Sequence, residues 1–177
     1  MGSNQSSDDE KKKENQKSND DDVKELEFFS HGQFKHDNII YTLNFFENTA
    51  NVFDNNSASG DIIIPRAVKY QDTIYIVKKI EFNGFRNSKT IKSIQFSPNS
   101  EVEEIEWNAF CDSPIESITF PPCLTDDSMN LFNDIKIKSI KIPFNFKLKK
   151  VPNIVTSFSE LESIFIPSNF SDFGTEW

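Results

Sequence analysis

The chain has 177 residues, 36% of them hydrophobic, and 28 acidic against 19 basic side chains give it a net charge of −9. That length fits one globular or repeat domain, and the acidic balance excludes a nucleic-acid-binding surface, because such surfaces concentrate Lys and Arg to displace counterions. No apolar run is long enough for a transmembrane helix, and five glycines leave little material for a phosphate-cradling loop.

From Met1 to Asp22 the sole large apolar side chain is Met1. A segment with no apolar surface cannot offset chain entropy, so residues 1–27 are expected to form a disordered acidic and polar tail. Through Glu27 it carries nine acidic residues and five lysines. Its start lacks the apolar stretch of a secretory signal. Met1-Gly2-Ser3-Asn4-Gln5-Ser6 matches the pattern for N-myristoylation at Gly2. Lys11, Lys12 and Lys13 would assist such an anchor at an inner membrane face, and Asp8, Asp9 and Glu10 would oppose it. A chance match is the competing reading.

Residues 28–76 read as an N-terminal β cap. Alternation of apolar and polar residues predicts strands at Ile39–Phe45, Thr49–Phe53 and Ile62–Pro65, with turns at Asn55-Asn56-Ser57 and Ser59-Gly60. His31 and His36 are the only histidines, and no Cys or third His lies near them in sequence to complete a tetrahedral site, so no metal is expected. Acceptor sequons at Asn4, Asn55 and Asn169 are expected to go unused without a secretory route.

Beyond the cap a fixed period decides the architecture. Ile91-Lys-Ser-Ile-Gln-Phe-Ser97, Ile115-Glu-Ser-Ile-Thr-Phe-Pro121, Ile137-Lys-Ser-Ile-Lys-Ile-Pro143 and Leu161-Glu-Ser-Ile-Phe-Ile-Pro167 share one pattern at intervals of 24, 22 and 24 residues. A second series starts at Val77, Val102, Leu124 and Leu148, at intervals of 25, 22 and 24. Both series shorten in the same unit, as closed turns with two strands each require. Residues 77–171 are therefore expected to hold four units of a right-handed β-solenoid, with 172–177 as a C-terminal tail.

Stacked units place like positions in contact, which makes the columns informative. Lys92, Glu116, Lys138 and Glu162 alternate in sign from unit to unit, and Lys78-Lys79 fall opposite Glu103-Glu104, then Thr125-Asp126, then Lys149-Lys150. Opposed charges of this kind support the pairing register, whereas like charges would oppose it. Phe85, Phe110, Phe132 and Phe158 are expected to stack internally, and Asn83, Asn108 and Asn130 to satisfy turn backbone groups through their side chains. Ser93, Ser117, Ser139 and Ser163 form a fourth column, and both histidines lie outside the repeats, so no nucleophile and base are paired. Cys111 and Cys123 read as buried structural thiols.

This texture of "I-x-x-I-x-x-x-A-F … I-x-S-I-x-I-P", together with Ile40-Tyr41-Thr-Leu43, Thr49-Ala50-Asn-Val52, Gly60-Asp-Ile62-Ile-Ile64-Pro65 and Tyr75-Ile76-Val77 before it, resembles the BspA-like leucine-rich-repeat surface antigens over about residues 38–167. The resemblance implies a mainly β, leucine-rich-repeat solenoid acting as a non-enzymatic protein–protein interaction module, without cofactor, in adhesion or antigenicity at a cell surface. The Gly2 pattern points instead to a cytoplasmic membrane-tethered adaptor, and a remnant with no dedicated partner is the third reading. The outward places Ser93, Gln95, Ser117, Thr119, Ser139, Lys141, Ser163 and Phe165 are the expected protein-binding face. After Pro167, Phe170, Phe173 and Trp177 either fold back over the last rung or leave its edge for self-association.

Overall fold

Thirteen strands and no helix appear among the described residues of the computed structural model, which are 22–125, 135–147 and 160–168. The strands are β1 (Val23–Glu25), β2 (Glu27–Ser30), β3 (Gln33–His36), β4 (Ile39–Asn44), β5 (Thr49–Val52), β6 (Ser59–Ile64), β7 (Ala67–Tyr70), β8 (Thr73–Ile80), β9 (Thr90–Phe96), β10 (Glu104–Ile105), β11 (Ser117–Thr119), β12 (Ser139–Lys141) and β13 (Ser163–Phe165). They make two sheets. One has the order β1-β7-β8-β5-β4-β3-β2 with β10 joined to β8, and the other is the all-parallel β13-β12-β11-β9-β6.

The first sheet closes on itself. Its two terminal members, β1 and β2, are separated in sequence by Leu26 alone, so one bent strand pairs with β7 on one side and β3 on the other. A sheet closed in this way leaves few free edges. Leu26 is buried and donates its N–H to the Lys69 carbonyl at 2.7 Å. Residues 23–27, expected to belong to the tail, instead form β1 and open β2, because a single leucine among charged residues supplies the apolar anchor. Residues 1–21, Gly2 included, lie outside the described residues, as do Asp126, Asn130, Phe132, Lys149, Lys150, Phe158 and the 172–177 tail.

β8 joins cap to solenoid. Its first half pairs antiparallel with β7, its second half pairs parallel with β10, and its other side runs parallel to β5. β5 and β6 thus form a coil that lies under β8 and β9, and the strand expected at Ile62–Pro65 belongs to the first rung of the solenoid, not to the cap. Ser59-Gly60, expected as a turn, opens β6; Gly60 sits at φ 75° beside the register shift that lets Asp61 meet Ser93. Glycine takes that backbone conformation without the clash a Cβ would bring.

Inward positions form continuous columns across the rungs. Ile62, Ile94, Ile118 and Ile140 are buried one over another, as are Ile64, Phe96, Phe120 and Ile142. Each such side chain contributes roughly 1.5–3 kcal/mol on burial. Phe85 and Phe110 stack at 5.9 Å with a 17° interplanar angle, as the column predicts. The turns holding them are copies: Gly84, Arg86 and Ser88 donate N–H groups three residues back, and Ala109, Cys111 and Ser113 repeat this one coil later. Asn83 and Asn108 serve these turns differently from expectation. They adopt left-handed φ angles of 63° and 59°, a conformation asparagine tolerates better than most residues.

A buried asparagine whose side chain does satisfy backbone is Asn55. Fully buried, it accepts from the Ile40 N–H at 2.6 Å through Oδ1 and donates through Nδ2 to the carbonyls of Ile40 and Phe53. Nothing in its sequence context separates this buried clasp from an exposed turn residue. Asn55→Ala leaves a buried donor and acceptor without partners, so urea unfolding should show a loss of about 1–3 kcal/mol; a loss below about 0.5 kcal/mol would mean that the clasp is dispensable.

Candidate binding face

The five-stranded sheet brings the sequence-selected residues into two adjacent columns. Ser93, Ser117, Ser139 and Ser163 are direct register partners, and so are Lys141 with Thr119 and with Phe165. Gln95 precedes Thr119 in its column, since Ile94 pairs with Ile118. Strands repeat at about 4.8 Å, so five of them span about 20 Å.

The first rung adds residues that the repeat pattern missed. Asp61 heads the serine column and Ile63 heads the Gln95 column. The signal that could have found them is Pro65, which follows β6 as Pro121, Pro143 and Pro167 follow later strands and stops each ladder by lacking an N–H. The serine column is less accessible than expected. Ser93 is only 7% exposed and donates to the Asp61 carboxylate at 2.7 Å, Ser117 and Ser139 are half-buried, and Ser163 is exposed and donates to Ser139 Oγ at 3.1 Å. Ser93 is therefore a ladder residue and not an outward contact.

What the face offers a partner lies mainly in the second column. Ile63 and Phe165 are exposed large apolar groups at its two ends, with the polar side chains of Gln95, Thr119 and Lys141 between. The Lys141 ammonium sits 5.9 Å from the Phe165 ring centroid, close enough for a cation–π contact of about 0.5–1 kcal/mol. On the last described rung Ile164 and Ile166 are half-buried where their counterparts below are buried.

Charge ladders flank both sheets. Lys138 meets Glu116 at 3.1 Å, and this hydrogen bond and the charge behind it raise the Lys138 pKa. Across β8 and β10 the expected opposition of Lys78-Lys79 with Glu103-Glu104 is present, with Lys78 to Glu103 at 2.9 Å and Lys79 to Glu104 at 3.2 Å. The network extends further than the sequence suggested: Glu101 bridges Arg66 and Lys78, and Glu106 takes a second bond from Lys79 and one from the Phe82 N–H. His36 is held by the Glu25 carbonyl at 2.7 Å from Nδ1 and by Asp37 at 3.3 Å from Nε2, while His31 occupies a turn at φ 46°. Among the described residues no group of three or more ligands is placed to hold a metal ion.

The repeat columns and their register match a known family. A model of the BspA type Leucine rich repeat region fits residues 68–177 in six copies. The chain belongs to this family. The match is wider than the 77–171 span drawn from the columns. Repeats of this family are typically binding modules and not catalysts. Among solved structures, a leucine rich cell surface protein from Faecalibacterium prausnitzii A2-165 is 18% identical, over 78% of this chain and 44% of its own, with a TM-score of 0.35. A leucine-rich repeat protein from Bacteroides ovatus ATCC 8483 is 17% identical, over 76% of this chain and 53% of its own, with a TM-score of 0.32. The chain thus spans about half the length of these two proteins. No curated protein sequence matches it.

Burial alone would raise the Glu101 carboxyl, but the hydrogen bond and charge of Lys78, with Arg66, outweigh it and hold the pKa below the ordinary carboxylate value. Burial likewise opposes, and Lys79 with the Phe82 N–H overcomes, the same shift at Glu106. A carboxylate depressed in the folded state contributes stability above its unfolded pKa and loses it as pH falls through the folded one. Thermal unfolding followed by circular dichroism should thus show stability falling below about pH 4.3. Glu101→Gln with Glu106→Gln should flatten that acid limb, and an unchanged slope would remove the network from the pH response.

Proposed function

We propose that this chain is a protein-binding repeat module that engages its partner across the outward column Ile63, Gln95, Thr119, Lys141 and Phe165. The observation that carries the reading is the composition of that column: two exposed apolar anchors about 20 Å apart across a rigid sheet, with hydrogen-bonding and cationic groups between them. Apolar and aromatic anchors supply affinity and polar groups between them supply register. In the neighbouring column Ser163 bonded to Ser139 and Ser93 bonded to Asp61 help to keep the strands aligned beside the contact. Adhesion or antigen display at a cell surface is the role that membership of the family favours.

The test pairs Gln95→Asp with Lys141→Glu and compares variant and parent in capturing cell-surface proteins from candidate host cells, quantified by mass spectrometry. Capture of the specific partner should fall at least about tenfold, the effect of 1.4 kcal/mol. Tm should fall by no more than about 4 °C, because the change costs little beyond the cation–π contact to Phe165, about 0.5–1 kcal/mol. Unchanged capture would reject the face.

A second reading is favoured by the Met1-Gly2-Ser3-Asn4-Gln5-Ser6 pattern, which suits a membrane-tethered adaptor. Intact-mass analysis of the native protein should then find a myristoyl amide on Gly2 in place of the initiator methionine. An unmodified amino terminus counts against tethering and leaves the surface role standing.

A further inference from the structure

β6 is the outermost strand of the five-stranded sheet. β9 pairs with one side of it, and among the described residues no strand pairs with the other. Along a strand, successive residues aim their N–H and C=O groups to alternate sides. Ile64 turns its carbonyl toward β9, where it accepts from the Ser97 N–H at 3.0 Å. Asp61 and Ile63 consequently aim theirs away from β9, and no described residue meets them.

This edge opens on a groove of about 680 Å³, within the size range of ligand clefts. Asp61, Ile63 and Pro65 line one side, and the turn formed by residues 36–39 lines the other. Ile63 is 62% exposed and offers apolar contact. Asp37 and Asp61 are exposed carboxylates, the first meeting His36 at 3.3 Å and the second accepting from Ser93 through one oxygen, and Lys24 and His36 also border the space. Asp22 also borders the groove, but its carboxylate is already engaged by the Ser97 hydroxyl and the Arg66 N–H. An unpaired strand edge beside such a groove matches the mode in which an extended peptide adds a strand to a sheet, with main-chain bonds supplying affinity and alternate side chains supplying specificity.

We infer that the free edge of β6 takes an extended, lysine- or arginine-bearing peptide segment as a sixth strand, its main chain on Asp61 and Ile63 and its basic side chains beside Asp37 and Asp61. The occupant is a separate basic peptide and not a second copy of the chain. Two copies would each bring a net charge of −9, so the charge carried by the groove would oppose their pairing. This goes beyond the face reading, because it uses the main-chain edge of β6 and not the outward side chains; the two readings share only Ile63, which heads the Gln95 column.

The experiment titrates the full chain into a fluorescein-labelled, end-capped peptide of three Val-Lys repeats and reads anisotropy. Saturable binding is expected. The same peptide N-methylated at every residue keeps its side chains but cannot donate to a strand edge, and its binding should be at least about tenfold weaker. Asp37→Asn with Asp61→Asn should weaken the parent peptide by about fivefold, as two exposed ion pairs would. Asparagine suits the left-handed backbone at 37 and still accepts from Ser93 at 61, so the fold is retained. Gln95→Asp with Lys141→Glu, which should cut capture across the face, should not weaken peptide binding, because both changes add negative charge; that separates this inference from the face reading. Equal binding of the N-methylated peptide, equal binding of a Val-Glu repeat, or self-association through β6 without peptide binding would each overturn it.

Discussion

The structure depends on one constraint: equivalent positions of successive coils must lie directly over one another. Parallel pairing at a fixed register imposes it, from Ile62 over Ile94 to Ile140 over Ile164. Once imposed, every position becomes a column and each column must be self-compatible. Isoleucines and phenylalanines fill the interior, Ser163 bonds Ser139 and Ser93 bonds Asp61 within one column, and lysines alternate with glutamates. A one-residue slip would carry the apolar set to the outer face and set like charges side by side. The sequence looks repetitive because neighbours mismatched in size or alike in charge would each be penalised twice, once by the coil above and once by the coil below.

Such a stack has an end problem, since a terminal rung exposes backbone groups and apolar side chains. At its beginning the chain answers by wrapping one sheet into closure around Leu26 and by using β8 in both structures. The Asn55 clasp holds the β4 strand to the turn after β5, and the Arg66, Lys78 and Glu101 cluster ties the start of β7 to β8 and the loop before β10. Closure is not complete. It leaves the outer side of β6 beside the groove, so the same junction that ends the stack also offers an edge.

Two surfaces follow from this geometry with different chemistry. The outward column presents side chains on a rigid sheet, so recognition there would depend on Gln95, Lys141 and the apolar ends. The β6 edge presents main chain, so recognition there would depend on an extended partner whose sequence matters less than its conformation and charge. The outward column is set by the rungs alone, whereas the β6 edge faces the turn at residues 36–39 across the groove.

The amino-acid sequence by itself determined the repeat, its register and most of the face. Period and column chemistry are local properties repeated at fixed intervals, so the serine column, the Phe85–Phe110 stack and the Lys78-Lys79 opposition to Glu103-Glu104 could all be read before any coordinates. Tertiary structure alone decided what depends on pairing between segments unlike each other. That includes the closure of the first sheet through Leu26, the transfer of Ile62–Ile64 from cap to first rung, the burial of Ser93 and the clasp by Asn55. A strand's neighbours are not written in its own alternation, and an asparagine in a turn reads the same whether its amide faces water or the core.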